Sequence, residues 1–152
     1  MNSDFRKIPI AVIGLGLMGG SFARRLKELG HPVIGLNRTK KVAEEALAMG
    51  IVDSIDPKDL KKAEIVIFCT PERGTLSFIK EHLSLLHEKA VLTDIAGVKN
   101  GFAKEVAALL PEGGILPIHS AELRADTPFP ASTRLILFGE CAHFSSRYPH
   151  AE

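Results

Sequence analysis

Residues 8–30 read IPIAVIGLGLMGGSFARRLKELG, and this stretch limits the fold more than any other. An apolar run to Ile13 meets three glycines, Gly14, Gly16 and Gly19, and an amphipathic run to Leu29 follows before Gly30. The pattern predicts a strand, a glycine turn and a helix, the opening unit of a dinucleotide-binding fold. Gly14 permits the tight turn out of the strand. Gly16, without a side chain, lets backbone approach a pyrophosphate, and Gly19 lets the helix pack closely. Leu17 and Met18 open that helix, whose free N–H groups and positive dipole end suit phosphate.

The remainder alternates strand and helix. Residues 33–36 read as a buried strand and residues 40–49 as a helix with Thr39 as N-cap, Gly50 as C-cap and an apolar side of Val42, Ala43, Ala46, Leu47 and Met49. Residues 51–55 read as a short third strand and residues 57–62 as one helical turn. Residues 63–70, AEIVIFCT, are apolar without alternation, as for a strand covered on both faces. Pro71 stops it, and residues 74–87 read as a helix with Leu76, Ile79, Leu83 and Leu86 on one face. Residues 90–95 are a strand, 99–110 a helix, 115–118 a strand, 120–133 a loop and 134–138 a last strand. This order predicts a Rossmann-type doubly wound α/β domain, its mostly parallel sheet carrying helices on both faces. The domain takes residues 1–140, and residues 141–152 read as an irregular tail.

A formal net charge of +1 gives no bulk case for nucleic acid or an anionic membrane. No apolar run approaches the roughly 20 residues that cross a bilayer. The N-terminus, MNSDFRK, has no apolar core of a secretory signal. The two cysteines, Cys69 and Cys141, form no C-x-x-C, so a reduced, cytoplasmic setting is the expectation. The histidines show no metal-ligand spacing, and no metal is expected.

In an open parallel sheet a ligand lies over the carboxyl ends of the strands. The end of the second strand decides which nicotinamide dinucleotide fits. An acid there bonds the ribose 2′-OH of NAD, whereas NADP needs the acid absent and an arginine present. The residues here are Asn37, Arg38 and Thr39, then Lys40 and Lys41. Two lysines opening a helix oppose its dipole, and a bound anion would offset this. NADP is therefore expected over NAD, against the plainer reading of a solvated basic surface. Cys69, Thr70 and Pro71 would shape the floor beside the nicotinamide, with Cys69 a small buried hydrophobe rather than a nucleophile. Asp94 would cap a turn, or orient a ribose or a water. His119, at a strand end on the ligand side, is the acid/base candidate, since imidazole titrates near neutral pH.

GLGLMGGSFARRLKELGH, VIGLNRT, IVIFCTP, VLTDIAGVKN and PIHS, in that order, resemble the N-terminal domain of prephenate/arogenate dehydrogenases. The resemblance runs from about residue 8 to residue 119. It implies an NAD(P)-dependent oxidoreductase of tyrosine, hence aromatic amino acid, biosynthesis. Such enzymes oxidise a carboxylate substrate, prephenate or arogenate, at the ring carbon bearing the hydroxyl, with decarboxylation driving aromatisation. It also implies that His119 bonds and polarises that hydroxyl. NADP use would be similar to the arogenate branch. Three departures stand out. Gly97 replaces the substrate-contacting serine of Asp-x-x-Ser-x-Lys, which here spans Asp94 to Lys99. Ser120, Ala121, Glu122 and Leu123 follow His119 in place of Pro-Met-x-Gly. The family continues into a helical domain that dimerises and supplies an arginine for the substrate's carboxylate, and these 152 residues stop before it. Two other readings stay open. One is an NADP-binding module or sensor without this catalysis, with a homodimer or partner chain completing the site. The other is a β-hydroxy acid or imine dehydrogenase of the same Rossmann group.

Overall fold

The computed structural model describes residues 6–95 and 102–109. Strands β1 (Ile10–Ile13), β2 (Val33–Leu36), β3 (Ile65–Phe68) and β4 (Val91–Asp94) form a parallel sheet in the order β2-β1-β3-β4. The strands are in step: Ile10 lies opposite Val33 and Ile65, and Ile65 opposite Val91. Leu36, Ile13, Phe68 and Asp94 therefore end the strands in one row. Nearly every strand residue is buried, which is why the strands read as apolar runs without alternation.

Alternate strand residues feed two cores. On one face Val12 and Val33 pack with Leu15, with Ala23 of α1 (Leu17–Glu28), and with Ala43 and Ala46 of α2 (Lys40–Ala48). On the other face Ala11, Ile13, Ile34, Leu36, Val66, Phe68 and Leu92 pack with Ile79 of α3 (Glu72–His82) and Val106 of α4 (Phe102–Leu109). Leu60, from a 3-10 helix at Pro57–Lys62, joins the second core. The architecture is the expected Rossmann-type α/β fold with helices on both faces.

Both helices of the first face close in the same way. Gly30 N–H donates to Lys27 O and His31 N–H to Leu26 O; Gly50 N–H donates to Leu47 O and Ile51 N–H to Ala46 O. These paired bonds satisfy carbonyls that a helix end otherwise leaves open. Met49 is the C-cap, and Gly50, expected in that role, lies one residue beyond it.

Several expectations need correction. Residues 51–55 do not form a strand. They run beside β2 with one parallel bridge, Ile34 to Ser54, and two backbone bonds, Asp53 N–H to Val33 O and Gly35 N–H to Ser54 O. The Asp53 carboxylate, not a backbone carbonyl, accepts from Val33 N–H. Asp56 then accepts from Lys58 N–H and turns the chain into the 3-10 helix, so no ladder has room to extend. The helix expected at residues 74–87 begins at Glu72, directly after Pro71, and gives way to a 3-10 turn at Leu83–Leu85. On α2, Ala43 and Ala46 face the core, but Leu47 and Met49 are exposed. Thr39 occupies the N-cap position without a side-chain capping bond. The strands expected at 115–118 and 134–138, the loop at 120–133 and the tail from 141 lie outside the described residues.

Candidate functional site

The chain leaves β1 through α1 towards β2, and it reaches β3 on the opposite side of β1. The order reverses between β1 and β3, so a crevice opens over their carboxyl ends, the usual ligand position in such sheets. The glycine turn fills one wall. Gly14 has φ of +90°, and a Cβ there would come within 2.7 Å of Thr70 Cγ2 and 2.8 Å of Cys69 O. That conformation and contact admit only glycine. At Gly19 a Cβ would lie 1.7 Å from Gly14 O, so α1 seats directly on the turn. Gly16 differs, for a Cβ there would meet nothing within 4 Å. It is the N-cap of α1, with no side-chain cap and no acidic residue in the first turn. The first-turn N–H groups precede the intrahelical ladder and lie beside the open space at Gly16, the setting in which helix N-termini accept anions. Leu17 and Met18 flank it, 88% and 56% exposed.

The turn is tied to both neighbouring strand ends. Gly14 N–H donates to Leu36 O at 2.8 Å, and Cys69 N–H donates to Ile13 O at 2.7 Å. Asn37 adds a side-chain tie, its Oδ1 accepting from Leu15 N–H at 2.9 Å and its Nδ2 donating to Thr39 O at 3.2 Å. Leu15, buried between the two glycines, is a participant that the sequence reading passed over. Arg38 and Thr39 are exposed beyond the end of β2, and Arg38 makes no ion pair among the described residues. Lys40 and Lys41 pair with Glu44 at 3.3 Å and Glu45 at 3.9 Å. These exposed one-turn pairs account for the two lysines without a bound anion.

Cys69, Thr70 and Pro71 leave β3 beside the turn. Burial, and then the charge of Asp94, push the Cys69 thiol up to about 11. It is a protonated, weakly reactive group at neutral pH. Thr70 Oγ1 bonds Thr75 Oγ1 at 2.8 Å, and Thr75 is buried in the first turn of α3. Asp94 ends β4 almost wholly buried, 1% exposed. Thr93 beside it has a buried Oγ1 with no hydrogen-bond partner among the described residues. The structure thus brings Gly14, Gly19, Asn37, Cys69 and Thr70 together, with Arg38 and Thr39 at the rim. His119 lies outside the described residues, as do Gly97, Lys99 and Ser120. Among the described residues no group of His, Cys, Asp and Glu side chains could hold a metal, and no helix is long and apolar enough to cross a membrane.

Comparison with known proteins gives one consistent neighbourhood. The family described as prephenate dehydrogenase, nucleotide-binding domain, matches residues 22–120. The prephenate dehydrogenase of Bacillus subtilis is 34% identical over 115 residues, covering 69% of this chain and 30% of that protein. Among solved structures, Synechocystis arogenate dehydrogenase superposes with a TM-score of 0.63 at 35% identity, over 67% of this chain and 37% of the other. The 3-hydroxyisobutyrate dehydrogenase of Mycobacterium tuberculosis gives 0.65 at 27% identity, over 74% and 39%. The chain spans well under half the length of each of these relatives.

Proposed function

The chain belongs to the family of prephenate dehydrogenase nucleotide-binding domains, and from that premise we propose that it holds NADP, in preference to NAD, as the cofactor half of an oxidoreductase of the prephenate/arogenate type. The observation that carries the cofactor preference is the end of β2. No carboxylate stands there, Asn37 is occupied by the turn, and Arg38 is exposed with no ion-pair partner among the described residues. A 2′-phosphate meets no repulsion and finds a guanidinium whose planar donors match its oxygens.

The cradle fits the pyrophosphate on three counts: an open face at Gly16, an uncapped α1 and a turn held rigidly by Gly14 and Gly19. Bound there, the nicotinamide would accept hydride from the substrate. The chain's own part is to orient it. The β3 end, with Cys69, Thr70 and Pro71, provides the floor, and the raised thiol keeps that floor free of charge. His119 polarises the substrate's ring hydroxyl and takes up its proton. The substrate is a small carboxylate such as prephenate or arogenate.

Calorimetric titration tests the cofactor reading. NADP should bind more tightly than NAD, and Arg38→Ala should weaken NADP alone by about ten- to a hundredfold, the range for a lost charge-assisted hydrogen bond. Equal binding of the two dinucleotides, untouched by the substitution, refutes it. Gly97, where the family has a substrate-contacting serine, favours a second reading, a cofactor-binding module without this turnover. Reduction of NADP with prephenate, arogenate or a β-hydroxy acid separates the two, because binding without turnover identifies the module.

A further inference from the structure

We propose that Asn37 is a positioning residue. It locks the glycine turn to the loop after β2 and leaves the 2′ side of a bound ribose to Arg38 and Thr39. The ligand half of this inference rests on the cofactor reading above; the bracing half does not.

Two hydrogen bonds engage both ends of the carboxamide, and they run in opposite senses. Leu15 N–H needs an acceptor and finds Oδ1 at 2.9 Å; Thr39 O needs a donor and finds Nδ2 at 3.2 Å. The partners therefore dictate which way the amide points. Leu15 sits between Gly14 and Gly16 with its side chain buried in the α1 and α2 core, so its N–H has a determined direction. One side chain thus spans from the phosphate turn, through a half-buried position, to the base of α2. A carboxylate here would still accept from Leu15. It would offer nothing to Thr39 O and would set a negative charge against a 2′-phosphate. An amide satisfies both ends and stays neutral at every pH at which the chain is folded.

Amide hydrogen exchange of the 152-residue chain tests this directly, alongside titration with NADP and NAD. In Asn37→Ala the Leu15 amide should exchange about two- to tenfold faster, as for one lost hydrogen bond, while the core amides of Val12 and Val66 hold their rates. Affinity for NADP and NAD should fall together, since the brace serves the diphosphate they share. Asn37→Asp should restore Leu15 protection and NAD binding but not NADP binding. If Leu15 exchange is unchanged in Asn37→Ala while NADP binding alone drops, the side chain touches the ligand itself and the proposal is overturned. Uniform acceleration of all three amides overturns it too, because Asn37 would then only stabilise the fold. If the unaltered chain binds neither dinucleotide, the cofactor reading fails, and Leu15 exchange alone decides the brace.

Discussion

Gly16 and Gly19 carry the same missing side chain and should fail in different ways. At Gly19 a methyl group would drive into Gly14 O, so Gly19→Ala should destabilise the fold by about 1–3 kcal/mol, as overpacking does. At Gly16 the space is open, so Gly16→Ala should leave stability within about 0.5 kcal/mol. Its methyl group would stand in the cradle, and NADP affinity should drop on the order of tenfold or more. Thermal melts with and without NADP check both outcomes. Cys69 gives a second residue-level test. With its pKa pushed up to about 11 from the ordinary thiol value of 9.0, its thiolate fraction near pH 7.5 is lower by roughly a hundredfold. Iodoacetamide labelling followed by mass spectrometry should find Cys69 slow at neutral pH and faster by steps up to about pH 11. Labelling at the rate of a free thiol would contradict its burial. The sequence made these residues legible where chemistry follows from type, as with glycine in a tight turn. It did not show that Asn37 turns inward, because that depends on where Leu15 N–H points.

Among the elements, the strands and helices were legible because a fully buried parallel strand and an amphipathic helix leave clear patterns. Residues 51–55 show the limit. IVDSI has the composition of a strand, but Asp53 places its carboxylate where a ladder carbonyl would sit. Lys40 and Lys41 show another: their partners Glu44 and Glu45 lie one turn on, and the expected anion is not needed to explain them. Asp53 also predicts a response to pH. Burial raises its pKa, but hydrogen bonds from Lys27 and Val33 N–H, with the charge of Lys27, outweigh this and hold it below the usual carboxylate range. A depressed folded pKa contributes stability above the unfolded value, and that contribution is lost as pH falls through the folded one. Stability should therefore decline below about pH 4, in part through this group. Asp53→Asn should be less stable at pH 7 and show a shallower decline in acid. Urea melts across pH 2–7 would decide it; parallel curves for the two proteins would rule Asp53 out as a contributor.

At the scale of the whole molecule, strands in step and an order that reverses between β1 and β3 make one crevice, and the turn, the end of β2 and the end of β3 converge there. This much followed from strand alternation and the glycine spacing. What would sit above the crevice did not, since His119 and the residues around it lie outside the described part. A bound ligand should stabilise the whole domain by about 2.7 kcal/mol at a hundred times its dissociation constant. NADP should therefore raise the melting temperature more than NAD at equal concentration, and identical shifts would refute the preference. The segment beside β2 has one more consequence. An open parallel sheet can be lengthened by any extended chain that finds its unpaired rim. Here Asp53 occupies the Val33 amide and Ser54 takes the Gly35 amide, and the backbone then swerves into a 3-10 turn. That rim is sealed by a carboxylate and a bend instead of a further strand, so crowding these molecules together offers no template for stacking through β2.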